Sequence, residues 1–262
     1  MHSVIEGVVL DVDGTVVRGD EPLPGAVAAV ERLRDAGLEV VFCSNNPTAA
    51  APAYVDRLSG AGFNPTAAEI VTAATATAAY LRDHHAGESV YVFGEESVEA
   101  RLREQTQLFF ESSPAPASVV VAAIDYGFGY EEMRRAIREV DEQTAFVGTD
   151  PDPVIPTDDG PAPGSGAIVN ALAGVLGREP DAVPGKPSAT ALGLVTDRLG
   201  VPGNQLLVVG DRPSTDIALG ERAGATTALV TTGVTSEAAA ATADPTPDYV
   251  CESLPAVVDR VL

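Results

Sequence analysis

Short unbroken apolar runs recur along the chain, separated by stretches in which apolar residues return every three or four positions. Gly7-Val8-Val9-Leu10 is the first run, and its length and continuity predict a strand buried on both faces. Pro24-Gly25 opens a predicted helix that carries Val27, Val30 and Leu33, and Gly37 closes it. Residues 38–43 form the next predicted strand, and residues 49–61 a second helix. A third buried strand is predicted at 206–209, followed by a helix over 215–223, Gly224, and a strand at 227–230. Alternation of this kind predicts a parallel sheet with right-handed crossovers.

The middle of the chain has an alternation of its own, so the pattern divides it into 1–74, 75–182 and 183–262. Runs at 90–93, 119–124 and 145–147 predict strands, and Met133, Ile137 and Val140 mark one face of a helix. Residues 151–166, rich in Pro, Gly and Asp, read as an ordered loop or boundary. The alanine-rich stretches 73–79 and 238–243 favour helix.

Charge narrows the function. The 262 residues include 38 Asp plus Glu against 16 Lys plus Arg, a formal charge of -22. No face of such a chain can neutralise a row of phosphates, which argues against nucleic acid as a partner, and a polybasic membrane-surface role is disfavoured for the same reason. No apolar run approaches the roughly 18 residues of a membrane-spanning helix. The segment Met1-His2-Ser3-Val4-Ile5-Glu6 has no basic region ahead of an apolar stretch, so no secretory leader is expected. Two cysteines, Cys43 and Cys251, make no disulfide framework, and a reducing, cytoplasmic location is expected. At molar salt the Debye length falls to about 3 Å and the self-repulsion of an acidic surface is largely screened. The surface is therefore read as adapted to a salt-rich cytoplasm, such as that of a halophilic archaeon.

The chemistry sits where the buried strands end. The first runs into Asp11-Val12-Asp13-Gly14-Thr15, the second into Ser44-Asn45-Asn46-Pro47, and the third into Gly210-Asp211-Arg212-Pro213-Ser214-Thr215-Asp216. Open parallel sheets bind ligands outside the carboxyl ends of their strands. Asp11, Asp13, Ser44, Asn45 and Asp211 are thus expected in one crevice. Carboxylates gathered there repel one another unless a cation sits among them, and all-oxygen ligation suits Mg²⁺. Lys186, in Gly185-Lys186-Pro187, is the chain's single lysine among fifteen arginines. It precedes a helix predicted from Ser188, with Pro187 favourable at the helix start, and a helix N-terminus attracts anions. A compact ammonium on a flexible stem differs from a planar guanidinium. Lys186 is therefore expected to point at a phosphoryl oxygen or an active-site carboxylate.

Taken in order, these four motifs resemble those of the haloacid dehalogenase superfamily, and more narrowly its NagD-like sugar and nitrophenyl phosphatases. Asp125-Tyr126-Gly127-Phe128-Gly129-Tyr130, Thr149-Asp150-Pro151-Asp152 and Pro163-Gly164-Ser165-Gly166-Ala167-Ile168 resemble that subfamily's cap. The resemblance implies an α/β fold: a Rossmann-like parallel-sheet core in two parts, 1–74 and 183–262, with a large inserted α/β cap at 75–182. It implies a Mg²⁺-dependent phosphatase of small phosphorylated metabolites, with a sugar phosphate, phosphoglycolate, a glycerol phosphate, a nucleotide and p-nitrophenyl phosphate all open as substrates. It further implies Asp11 as nucleophile, Asp13 as general acid and base, and Ser44, Asn45, Asn46, Gly14 and Lys186 around the phosphoryl group. Asp11, Asp211, the Asp13 backbone carbonyl and, at one remove, Asp216 are the implied metal ligands. Asp125, Asp150 and Asp152 are candidates for substrate contact, and a cap-mediated homodimer is in keeping with the resemblance. Ser44 stands where threonine is more usual and Asp150 where asparagine is. The competing readings are a phosphomutase or phosphotransferase of the same superfamily and a receiver-type phosphoryl-accepting signalling module.

Overall fold

The computed structural model describes residues 4–157 and 160–262. Met1, His2 and Ser3, part of the segment on which the expected absence of a leader rests, lie outside the described residues, as do Asp158 and Asp159 of the expected 151–166 loop.

The chain begins with β1 (Gly7–Leu10), a small hairpin of β2 (Val17–Arg18) and β3 (Glu21–Pro22), and α1 (Ala26–Asp35). Next come β4 (Glu39–Ser44), α2 (Ala51–Gly60), β5 (Ile70–Thr72) and α3 (Ala73–His84). The middle holds β6 (Ser89–Phe93), α4 (Glu96–Gln105), β7 (Phe109–Phe110), β8 (Val119–Ala122), α5 (Tyr130–Glu139) and β9 (Ala145–Gly148). A hairpin of β10 (Val154–Thr157) and β11 (Gly160–Pro163) leads to α6 (Ser165–Leu176) and α7 (Ala189–Leu199). The chain closes with β12 (Leu206–Gly210), α8 (Ala218–Ala223), β13 (Thr226–Val230), α9 (Glu237–Ala240), β14 (Tyr249–Cys251) and α10 (Leu254–Val261).

These elements form two compact units. One comprises the chain through Ser44 together with Ala51–Val71 and Lys186–Leu262; the other comprises Asn45–Ala50 and Thr72–Gly185. The first unit is built on a six-stranded sheet in the order β14-β13-β12-β1-β4-β5. β1 runs parallel to both neighbours, with Leu10 opposite Val209 and Phe42. All four residues of β1 and all five of β12 are buried, which explains their unbroken apolar character. One face of the sheet packs Val9, Val41, Cys43 and Val208 against Ala191, Val195 and Leu199 of α7.

The second unit has a four-stranded parallel sheet, β7-β6-β8-β9. Val119 and Val121 face a cluster with Leu81, Val98 and Leu102 from α3 and α4. Val120 and Ala122 face another with Ala136, Ile168 and Leu172 from α5 and α6. The two-residue period of a strand thus serves two helical layers. Together the units make an α/β architecture: a parallel-sheet core with a large α/β cap inserted in its sequence.

Three local readings need correction. Within 151–166, expected as loop, the described residues 154–157 and 160–163 form an antiparallel hairpin, because its prolines sit where a two-stranded edge tolerates a missing donor. On α5 the buried residue is Ala136, while Ile137 is 60% exposed, so the core-facing side is rotated from the expected one. The helix expected over 215–223 begins instead with one wide π-helical turn, Pro213–Ile217, before α8. Among the described residues, no helix is long and apolar enough to cross a membrane.

The end of β12 depends on a missing side chain. A Cβ on Gly210 would lie 2.2 Å from the Cγ and 2.3 Å from the Cβ of Asp216. Because those atoms belong to the root of the side chain, rotation cannot relieve the clash. Gly210→Ala is expected to lower unfolding free energy by about 1–3 kcal/mol, the usual cost of overpacking, as read by urea titration.

Candidate active site

The turn after β1 sets the first carboxylates. Val17 and Val16 donate their amides to the Val12 carbonyl, and Gly14 donates its amide to the Val17 carbonyl at 2.8 Å. Gly14 has φ +91°, a left-handed conformation that L side chains avoid, and a Cβ there would come within 2.5 Å of Asp211 Oδ2. Gly14, expected near the phosphoryl group, has its backbone groups engaged within the protein. Its N–H bonds within the turn and its carbonyl accepts the Thr232 hydroxyl at 2.6 Å, and the missing Cβ lets Asp211 approach.

Lys186 lies at the middle of the cluster. It is 3% exposed, and its ammonium donates to Asp11 Oδ1 at 2.6 Å, Asp216 Oδ1 at 2.6 Å and the Cys43 carbonyl at 2.8 Å. Three acceptors in three directions match the three protons of a tetrahedral ammonium, which a planar guanidinium could not reproduce. Burial alone would favour the neutral amine, but the two carboxylates outweigh it and hold the lysine well above its ordinary range. The helix expected from Ser188 starts one residue later. Ser188, not Pro187, caps α7, accepting the Ala191 amide at 3.0 Å, and the helix begins at Ala189.

Asp11 also receives the Thr15 hydroxyl on Oδ2 at 3.2 Å. Asp211 accepts the Val234 amide at 2.5 Å, in the loop after β13. That loop approaches so closely that a Cβ on Gly233 would fall 1.8 Å from Asp211 Oδ2. Asp216 accepts the Arg212 amide at 3.1 Å on the oxygen that Lys186 does not use. Oxygens of Asp11, Asp211 and Asp216 all lie within 4.8 Å of one another. Burial, then the charges of Asp11 and Asp216, push Asp211 up to about 8. Asp216 is pushed up to about 6 by burial, against the pull of Lys186. One ammonium does not balance three carboxylates, and the all-oxygen donor set fits a hard divalent cation. Asp13 contributes no carboxylate to this group. Its Oδ1 is bound by Arg57 at 2.6 Å, and burial raises its pKa against the pull of that arginine.

Ser44, 5% exposed, shares a hydrogen bond of 2.8 Å with the Tyr54 hydroxyl. Cys43 is wholly buried, and desolvation pushes its thiol up to about 12, in keeping with a packing residue. In the second unit Asn45 donates to Asp152 Oδ2 at 3.2 Å. Asn46, expected at the phosphate, turns its side-chain oxygen to the Thr48 amide and hydroxyl at 2.8 and 2.7 Å, as Asx turns do. Of the residues considered for substrate contact, Asp150 is 2% exposed and bonded to the Thr149 hydroxyl and the Asp152 amide. Burial beside Asp152 pushes it up to about 7. Asp125 caps its own turn through the Gly127 amide at 2.7 Å.

Sequence reading missed Tyr54, Arg57, Thr15 and Gly233. Tyr54 and Arg57 lie on α2, one turn apart, where they read as an apolar and a surface position. The signal that could have found them is their spacing, which puts both on one helix face.

A family model described as haloacid dehalogenase-like hydrolase matches residues 8–106, and a second, HAD-hydrolase-like, matches residues 183–257. The sugar-phosphatase AraL of Bacillus subtilis (strain 168) is 30% identical over 248 residues, 95% of this chain and 90% of that protein. A p-nitrophenyl phosphatase structure from Archaeoglobus fulgidus superposes with a TM-score of 0.89 at 33% identity, covering 98% of this chain and 99% of that one. Glycerol phosphate phosphatase Rv1692 of Mycobacterium tuberculosis, solved in complex with magnesium, gives a TM-score of 0.84 at 29% identity, covering 97% of this chain and 76% of that one.

The raised carboxylates predict how the metal-free protein responds to pH. An acid whose folded-state pKa is raised contributes stability that is full below its unfolded value and is lost as pH rises toward the folded one. For Asp211 that window runs from about 4 to about 8. Metal-free Asp211→Asn is therefore expected to gain in melting temperature relative to wild type as pH goes from 5 to 8. Added Mg²⁺ should raise the wild type and not the variant. Parallel curves at all pH values would contradict the assignment.

Proposed function

We propose, from the premise that this chain belongs to the haloacid dehalogenase-like hydrolases and groups with their NagD-like p-nitrophenyl phosphatases, that it is a phosphatase acting on small phosphate monoesters through an aspartyl-phosphate. The observation that carries this reading is the convergence of Asp11, Asp211, Asp216 and Lys186 on one point at the ends of β1 and β12. Relatives named for a sugar phosphatase and a p-nitrophenyl phosphatase support the substrate class.

In this mechanism an oxygen of Asp11 attacks phosphorus, and the bond from phosphorus to the ester oxygen breaks. The departing oxygen takes a proton from the carboxyl of Asp13, giving an alcohol, a phosphorylated Asp11 and an ionised Asp13. Asp13 then removes a proton from water, whose oxygen attacks phosphorus, and the bond from phosphorus to Asp11 breaks. Inorganic phosphate leaves, with Asp11 ionised and Asp13 protonated as at the start. The burial that raises Asp13 favours this return to the acid form. Lys186 and Thr15 fix the plane of the Asp11 carboxylate, so that its attack loses little orientational freedom. Ser44 offers a hydroxyl to a phosphoryl oxygen once the proton it shares with Tyr54 is aimed there. Asp11, Asp211 and Asp216, with the Asp13 carbonyl, would hold Mg²⁺, which when bound supplies charge neutralisation for the phosphoryl oxygens. A magnesium complex of a relative supports that choice of ion.

Two outcomes are expected. Wild type quenched in acid during turnover should carry phosphate on the chain, whereas Asp11→Asn should carry none and release no phosphate; full turnover in that variant would refute the nucleophile. The formal charge of -22 supports a salt-rich cytoplasm as the working environment. Melting temperature should then rise steadily from 0.1 M toward about 3 M KCl, the range over which screening shortens from about 10 Å to below about 3 Å. A flat response would remove the salt reading.

A further inference from the structure

Asp13 must present its carboxyl to the departing oxygen, yet nothing on its own strand holds it there. The group that does comes from α2. Arg57 Nη2 donates to Asp13 Oδ1 at 2.6 Å. Among the described residues no partner bonds the other oxygen, Oδ2, which leaves that oxygen as the one that can carry and deliver a proton.

The guanidinium is itself tightly located. Its Nε donates to the Gly19 carbonyl at 3.2 Å and lies 3.3 Å from Asp20 Oδ1, and Nη2 bonds the Gly19 carbonyl as well. Gly19 and Asp20 form the two-residue turn of the β2–β3 hairpin, with Gly19 at φ +57°. Below it, the Tyr54 ring centroid is 5.8 Å from the guanidinium carbon, within cation–π range, and Tyr54 is 1% exposed. Arg57 is therefore gripped by a hairpin turn on one edge and seated over a buried ring. An ion pair with side chains 22% and 38% exposed adds little to stability. Its geometry is what distinguishes it: one carboxylate oxygen is pinned and the other is left available.

We propose that Arg57 is a positioning residue for the proton-transfer step, holding the Asp13 carboxyl in the one orientation that serves the leaving group. This rests on the phosphatase reading above. The step it affects is the transfer of the Asp13 proton to the ester oxygen as that oxygen leaves phosphorus, with the electron pair of the broken bond accepting the proton. An alkoxide leaving group needs that proton; p-nitrophenolate, a stable anion, leaves without it. Misplacing the acid therefore penalises one ester far more than the other.

The test compares kcat/KM for glycerol phosphate and for p-nitrophenyl phosphate in wild type, Arg57→Met, Arg57→Gln and Arg57→Lys, with Mg²⁺ present and folding checked by circular dichroism. A positioned acid contributes about 10²–10⁴-fold, so Arg57→Met should lose on the order of 10–100-fold on glycerol phosphate and less than about 3-fold on the aryl ester. Arg57→Lys, which keeps a donor near Oδ1, should recover most of the alkyl activity. If the methionine variant fails to fold, the glutamine variant carries the same comparison. Equal losses on both esters, or no loss on either, overturn the proposal while leaving the phosphatase reading intact. A wild type that releases no phosphate from any ester overturns that reading, and the proposal with it.

Discussion

One buried ammonium organises the first unit. Lys186 reaches Asp11 at the end of β1 and Asp216 in the π-helical turn after β12, and takes the last carbonyl but one of a third strand, at Cys43. Three separate stretches of chain are thereby tied at a single atom. An ion pair this deep is costly to form, because each charge gives up its hydration, and removing one partner leaves the others stranded. Among the described residues, the remaining carboxylate of Asp211 has no such partner and is held by a backbone amide. That imbalance of charge is what a hard cation would offset. The same imbalance explains why two glycines, Gly14 and Gly233, crowd Asp211 so closely: only bare backbone fits around an anion that must also leave room for a ligand.

The strands were legible because they are buried on both faces and carry nothing but apolar side chains. Their polar ends were legible too, since a charged residue directly after such a strand has no packing reason to be there. Asp11 and Asp211 stand out on that ground, and Lys186 as the single lysine, set just ahead of a helix. The supporting layer is harder to read. Tyr54 and Arg57 sit on an amphipathic helix where a tyrosine and an arginine are ordinary, and only the fold reveals that one reaches Ser44 and the other Asp13. Asn46 is ambiguous by sequence, because an asparagine ahead of a helix serves a turn as readily as a ligand, and here its side-chain oxygen holds the Thr48 turn. The 151–166 segment misled because Pro and Gly signal a break in most settings, yet an isolated two-stranded hairpin accepts both.

Two elements that looked incidental share one task. The β2–β3 hairpin buries little, with both residues of β3 exposed, and α2 has only Tyr54 and Leu58 buried. Their meeting at Arg57 supplies a reason for both: a short turn and a single helix face fix a side chain that the central strand cannot fix by itself.

The split of the first unit has a consequence for biosynthesis. β1 lies between β4 and β12, and β12 begins at Leu206, some two hundred residues after Gly7. At translation speeds of about 5–20 residues per second, the strand that leads into Asp11 waits on the order of ten to forty seconds before its neighbour emerges from the ribosome. Thr72–Gly185, made in between, belongs to a unit that includes no strand of that delayed sheet except the last residue of β5. The nascent chain therefore holds a half-made sheet with an open apolar edge while its interior segment is already complete, and the cell must keep that edge from finding another chain.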